Sequence, residues 1–340
     1  MTLTITAAGD CTLGGSVKQD TYRNFKAVVR KMGYDYFFEK VRDIFTADDL
    51  TILNLEGPLT DVGSARSGIY CFKGDPDFVQ ILSGSGVELC NVANNHSADF
   101  GVAGLKRTAE VLENAGVGCC GYTKVYSDTV KGVRVTALGF DKWQNDQEGI
   151  VRAIRSEREN CDLLIVNMHW GREKHFEPME DQVKWGHAAV SAGADLVIGT
   201  HPHVYGGVEL YKGKYIVYSL CNFCFGGNDN PTDKRAMMVQ QTFVVSPGGE
   251  VSDGGINVIP CYVSGRSDIN NFQPVVMDAK AGASLLKGVA KYSNFSRDAT
   301  LWMPDSYPER IGLLPKTEEN LPSPADGSEP GPAEGENGAV

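Results

Sequence analysis

Five strand-like apolar runs in this chain end alike, each followed at once by side chains able to bind a metal, and this recurrence restricts the fold more than any other feature. The endings are Gly9-Asp10, Asn54-Leu-Glu56, Asn94-Asn95-His96, His169-Trp-Gly171 and His201-Pro-His203. Amphipathic segments at helical spacing separate them, at 36–45, 77–82, 103–115, 150–154 and 181–192. Strands alternating with helices predict an α/β layered fold. Lys131-Gly132, Lys212-Gly213 and Ser246-Pro-Gly-Gly249 each lie between alternating apolar runs, as hairpin turns do, so antiparallel strands join the parallel units.

In open α/β sheets ligands bind beyond the carboxyl ends of the strands, which brings clusters spread over about 200 residues to one site. The candidates are Asp10, Glu56, Asn95, His169, His201 and His203. Carboxylates, an amide carbonyl and neutral imidazoles suit Mn, Fe or Zn, and the lack of nearby thiolate pairs argues against a closed structural zinc site. Six donors exceed one tetrahedral ion and suit two divalent ions sharing Glu56, as phosphoester hydrolysis uses. His96 then stands behind the ligands or gives a proton to the leaving group. His201 and His203 are two residues apart, so an extended backbone, held by Pro202, points both rings the same way.

Each residue also has a plainer reading. Asp10 caps a turn before Thr12 as readily as it binds a metal. Asn94 reads as a turn residue, His187 as a satisfied, partly buried histidine, and His175 as exposed or at a pocket rim. Arg172 is either a clamp for a phosphate or polymer carboxylate, or a surface arginine paired near Glu173 or Glu177.

Composition narrows the partners. With 42% hydrophobic residues in 340, the chain buries a full core, here taken as one domain over 1–315. Acids outnumber bases 43 to 32, a formal charge of −11, which excludes a general affinity for nucleic acid or anionic membrane. Residues 316–340 carry Pro, Gly and Glu without apolar period and read as a disordered acidic tail. The nine cysteines sit mostly in apolar runs and read as reduced core thiols, Cys221 and Cys224 included. No run reaches the roughly 18 apolar residues of a membrane span, and the N-terminus alternates like a strand, so the chain as given reads as cytoplasmic.

The chain resembles the bacterial capsule-synthesis proteins of the CapA and PgsA type, which share the calcineurin-like metallophosphatase fold. The motifs that carry the resemblance are Asn54-Leu-Glu-Gly-Pro-Leu-Thr-Asp61, Ala93-Asn-Asn-His96 with Asp99-Phe-Gly101, His169-Trp-Gly171, the run from Gly193 into His201-Pro-His203, and Tyr218-Ser-Leu with Asn222-Phe223. They run in family order over about residues 1–300. The resemblance implies a four-layered α/β/β/α sandwich of two mixed sheets. It also implies that Asp10 and His203 hold one metal, Asn95, His169 and His201 the other, with Glu56 bridging.

Two departures stand out. The usual histidine two residues after the first aspartate is here Thr12, leaving the first metal a ligand short, and Glu56 replaces the usual bridging aspartate. Three functions follow as expectations: a metal-dependent phosphoester hydrolase assisted by His96; a protein that binds or cleaves the anionic polymer poly-γ-glutamate; and a non-catalytic metal-binding scaffold recruiting partners through its tail.

Overall fold

The computed structural model describes residues 1–293. The expected tail at 316–340 and the end of the expected domain lie outside the described residues.

Two mixed sheets form the centre. In the first, Thr2–Thr12 runs parallel to Leu50–Leu55, followed outward by Leu89–Asn91 and Gly118–Cys120. On its other side lie the antiparallel strands Arg235–Val245 and Val251–Tyr262, then Val275–Val276. In the second, Val133–Asp141, Leu163–His169 and Leu196–Thr200 are parallel, and each edge is finished by a hairpin. Those two hairpins turn at Lys131-Gly132 and Lys212-Gly213, where all four residues have positive φ, from 49° to 82°, the left-handed pair that matches strand twist.

The period-2 alternation of the second sheet decides the layers. Val135, Ala137, Leu163, Ile165, Leu196 and Ile198 join the buried core of the first sheet, while Leu164, Val166, Met168 and Val197 pack with Ile150, Ile154, Ala189 and Val190 of helices Gln147–Arg158 and Glu180–Ala192. Phe25 and Val29 of helix Thr21–Met32, with Val111 and Leu112 of Gly101–Asn114, complete the core on the side of the first sheet. The architecture is therefore α/β/β/α.

Strand register sets up the site. Asn222, Asp10, Asn54 and Asn91 lie in one row across the first sheet, and Asp141, His169 and Thr200 in one row across the second. Asp10, Asn54 and Asn91 in the first row and all three residues of the second sit at the carboxyl ends of parallel strands, while Asn222 opens its own. Asn222–Phe225 reaches Asp10 because Gly9 has no Cβ; one built there would lie 2.0 Å from the Cys221 carbonyl oxygen. The Asp10 N–H donates to that same oxygen at 2.8 Å.

Several local expectations change. The segment at 36–45 is mostly turns, with helix only over Arg42–Ala47, because Phe37, Phe38, Val41 and Phe45 are all buried and demand a wrapped rather than a one-faced chain. The segment at 77–82 begins as a 3-10 turn at Pro76–Val79 before Gln80–Ser83. Thr21–Met32 is a helix that sequence reading passed over; its apolar stripe, Phe25 and Val29, is thin among charged residues. All nine cysteines are free and buried. No helix among the described residues is long and apolar enough to cross a membrane.

At the opposite end of the first sheet Asp48 accepts from the Thr51 hydroxyl at 2.8 Å, while the Thr51 N–H donates to Glu88 at 2.8 Å. Burial raises the Asp48 carboxyl to about 7, with the Glu88 charge adding to the shift and the Thr51 bond opposing it. An acid raised on folding contributes stability that is complete below its unfolded value near 3.8 and lost as pH climbs through about 7. Asp48→Asn is therefore expected to flatten this dependence and to stabilise the protein above pH 7 by about 1–2 kcal/mol, discounted for partial exposure. Urea melts at acid and alkaline pH measure it; parallel pH profiles for the two proteins would count against the assignment.

Candidate metal centre

Asp10 and Glu56, both fully buried, end the first and second parallel strands of the first sheet. Asp10 is held on two sides: Asn54 Nδ2 donates to Oδ1 at 2.7 Å, and the His201 N–H donates to Oδ2 at 3.2 Å. Asn54 in turn accepts from Asn91 Nδ2 at 2.9 Å and Asn94 Nδ2 at 3.3 Å. Asn94 also donates to the Leu55 carbonyl at 2.9 Å and accepts from the His96 N–H at 3.1 Å, which fits its reading as a turn residue.

Glu56 is different. Neither carboxylate oxygen has a hydrogen-bond partner among the described residues, yet Oε1 has three imidazole nitrogens around it: His203 Nε2 at 3.8 Å, His169 Nε2 at 3.9 Å and His96 Nε2 at 4.0 Å. Such distances are too long for hydrogen bonds and suit donors arranged about something between them. His169 Nε2 also faces Asn95 Oδ1 at 2.9 Å, and its Nδ1 faces Thr200 Oγ1 at 3.0 Å. An Nδ1–H donated to Thr200 leaves the Nε2 lone pair beside the Asn95 oxygen. His203 Nδ1 lies 3.1 Å from Asp10 Oδ2.

His201 and His203 do not extend from their strand as expected. The strand ends at Thr200, and both residues take positive φ, 97° and 58°, so the backbone folds back over the strand ends. Their rings still lie close, with centroids 5.7 Å apart. Positive φ at two non-glycine residues is a strained arrangement of the kind found at functional sites. Two bonds hold it: His201 N–H to Asp10, and Lys174 N–H to the Pro202 carbonyl at 2.8 Å.

Electrostatics separates the rings. Burial, with the neighbouring histidines, holds His169 well below the usual imidazole value and His201 at about 3, so both are neutral. At His203 burial works against the charge, but Glu56 and Asp10 outweigh it and raise the ring to about 10. Burial pushes the Glu56 carboxyl well above the usual range, Asp10 adding and His203 opposing. The cluster thus retains protons where a cation would replace them. Orphaned carboxylate oxygens, neutral imidazoles and an amide oxygen converging at strand ends fit divalent metal ions.

Asp10, Glu56, Asn95, His169, His201 and His203 are all brought together here. His96 joins them through a clamp that sequence reasoning missed. Its Nδ1 lies 2.8 Å from Asp99 Oδ2, Arg66 Nε is 2.5 Å from Asp99 Oδ1, and the Phe72 N–H donates to Asp99 at 2.6 Å. Asp99 stands in a recognised motif, but Arg66 carries no local signal. Trp143, half exposed, packs its ring edgewise on His201 at 4.7 Å, positioned by Asp141, which accepts from the Trp143 and Gln144 N–H groups at 2.9 Å. Glu173, read only as a partner for Arg172, offers an oxygen within 4.8 Å of His201 and His203 nitrogens. Arg172 is exposed beside it and has no ion pair among the described residues. His187 lies outside the site, satisfied by the buried Glu209 at 2.9 Å, and His175 Nδ1 lies 2.8 Å from the Glu177 carbonyl.

A carboxylate and imidazole centre across the strand ends of an α/β/β/α sandwich defines a metal-binding class of protein. Comparison with known sequences gives the family: residues 4–227, which contain every residue of the centre, match bacterial capsule synthesis protein PGA_cap, and the chain belongs to that family. It is 27% identical over 320 residues to the PGA biosynthesis protein CapA of Bacillus subtilis, covering 86% of this chain and 79% of that protein. It is 31% identical over 267 residues to the capsule biosynthesis protein CapA of Bacillus anthracis, covering 69% of this chain and 63% of that one. Among solved structures it is similar to a putative 5'-nucleotidase from Staphylococcus aureus, with TM-score 0.45 and 12% identity, covering 86% of this chain and 59% of that one.

If Glu56 is kept for a cation, replacing it should help the metal-free protein and harm the loaded one. In EDTA at pH 8, Glu56→Gln is expected to raise stability by about 1–3 kcal/mol, because a buried carboxyl with no hydrogen-bond donor is removed. The same variant should lose metal retention. Calorimetry with and without EDTA checks both; a variant destabilised in EDTA would show that Glu56 has a structural partner after all.

Proposed function

We propose that this chain is a metal-dependent phosphoester hydrolase whose two divalent cations are held by Asp10, Glu56, Asn95, His169, His201 and His203. The supporting observation is Glu56, buried without a donor to either oxygen and faced by three imidazoles at 3.8–4.0 Å. On this reading Asp10 and His203 would hold one ion and Asn95, His169 and His201 the other, with Glu56 shared. When bound, a pair of divalent ions supplies charge neutralisation for the attacked and leaving oxygens and lowers the pKa of water.

The remaining roles belong to the chain. His96 turns Nε2 toward the centre as the proton donor to the leaving oxygen, while Asp99, 2.8 Å from Nδ1, fixes the orientation of the ring. Phe72, 4.2 Å from the His96 ring, shields its other surface. Arg172 and Lys142 stand at the rim as cations for an anionic substrate; Lys142 Nζ is fixed by the Gly171 carbonyl.

A second reading draws on the relatives, which are named for capsule and PGA biosynthesis. On this reading the same centre binds or cleaves poly-γ-glutamate, and the unpaired Arg172 meets a side-chain carboxylate of the polymer. Incubation of the polymer with metal-loaded protein, followed by size analysis and a binding titration, decides it; neither shortening nor binding removes this reading.

For the hydrolase, metal-replete wild type should turn over bis-p-nitrophenyl phosphate, and His203→Ala should lower the rate at least roughly 100-fold with loss of bound metal. Wild type no faster than the variant would sink the proposal. Asp99→Asn should lower kcat about 10- to 100-fold while bound metal stays the same, since it acts through His96. Loss of metal in that variant would mean Asp99 supports the ligands instead.

A further inference from the structure

We propose that Glu173, His201 and His203 form an outer cation site at the mouth of the centre, through which divalent ions pass on their way to Asp10 and Glu56. This role rests on the metal-binding reading above and adds to it the route by which the sealed carboxylates are reached.

Two groups of three donors share one imidazole. Asp10, Glu56 and His203 form the inner group and Glu173, His201 and His203 the outer one, with the ligand atoms of each group within 4.8 Å of one another. Burial grades from one group to the other. Glu173 is exposed, the His203 side chain is 19% exposed, and Asp10 and Glu56 are sealed at 0%. A divalent ion with its water shell intact cannot meet a sealed carboxylate, and stripping that shell in one step is costly. Donors that replace water a few at a time lower this barrier, and His203 is the donor that the two groups have in common.

The outer donors are held near one another without being spent on one another. Gly171 and Lys174 turn the chain with φ of 82° and 58°, and the Lys174 N–H donates at 2.8 Å to the carbonyl of Pro202, the residue between the two histidines. Lys142 Nζ donates to the Gly171 carbonyl, so the segment carrying Glu173 is tied on both sides. Glu173 itself has no hydrogen bond or ion pair among the described residues. His201, only 4% exposed, has an Nδ1 with no partner, so this buried ring still has a ligand position to give.

Two imidazoles and one carboxylate are a donor set that binds Zn²⁺ and similar divalent ions while leaving positions for water. Donors of one such ion sit about 3–4 Å apart, a spacing that an exposed glutamate reaches by turning its own side chain. Inward transfer then exchanges carboxylates. Glu173 and His201 let go as Asp10 and Glu56 take hold, His203 is kept throughout, and Glu173 returns to solvent.

The test is stopped-flow mixing of the metal-free full chain with Co²⁺, read by the visible absorption of the bound ion, with cobalt per chain counted after gel filtration. Glu173→Gln is expected to fill about tenfold more slowly than wild type and to reach the same cobalt count and the same final spectrum. Glu177→Gln removes the same charge from an exposed position of the same loop and should fill at the wild-type rate. Equal rates in Glu173→Gln and wild type, or equal slowing in Glu177→Gln, would overturn the outer site while the metal-binding reading stands. A lower final count in Glu173→Gln would overturn it too, by making Glu173 a permanent ligand. Wild type that takes up no Co²⁺, Mn²⁺ or Zn²⁺ would overturn both.

Discussion

A carboxylate sealed from water with no hydrogen-bond donor is among the most costly groups a fold can keep, and Glu56 is one. Left alone, such a group is driven to its neutral form, which is the direction burial imposes here. The surrounding structure does nothing to satisfy it by ordinary means. Asn54, one residue before Leu55, spends its amide on Asp10 and its carbonyl on Asn91 and Asn94. The imidazoles of His96, His169 and His203 stop about 4 Å short. Unpartnered Glu56 oxygens and an unpartnered His201 Nδ1, set among side chains that are otherwise bonded to one another, are what a protein shows when the missing partner is a cation.

The strain at His201 and His203 belongs to the same account. Positive φ at a non-glycine residue costs on the order of 1–3 kcal/mol, and two such residues, His201 and His203, share the one turn over the strand ends. The bonds that hold this turn come from Asp10 and Lys174, so the residues that shape the centre also fix the strained backbone. Stability is given up locally for donor geometry, and the buried sheets on either side carry the cost.

Much of this was legible from the chain alone, and the reason is register. Strand alternation is a two-residue period, so His169 had to share a face with Leu163 and Ile165, and the shared endings of the parallel strands put five clusters at one edge. Both two-residue hairpins were readable because each places a glycine, free to take positive φ, between two alternating apolar runs. What sequence could not carry was anything set by loops. Arg66 and Glu173 reach the site from segments with no regular period, and Trp143 is aimed by an Asp141 turn. The extended pose assumed for His201-Pro-His203 failed because a strand-end pair must turn to face inward. Thr21–Met32 was missed since its stripe is two residues wide and its remaining surface is polar.

If the substrate is anionic, as proposed, charge accounts for how an acidic protein would take it. The chain carries −11 overall, and without cations the centre adds Asp10 and Glu56 to that field, with Glu173 at its rim. Phosphate or polymer carboxylate would be repelled. On the proposed reading, two divalent ions would bring four positive charges against these three carboxylates and reverse the sign at the bottom of the site, where the walls are buried and screening is weak. Arg172 and Lys142 would then add positive charge beside that patch. Selectivity for a small or extended anion is in this view a property of the loaded centre, which makes metal uptake the step on which substrate binding depends.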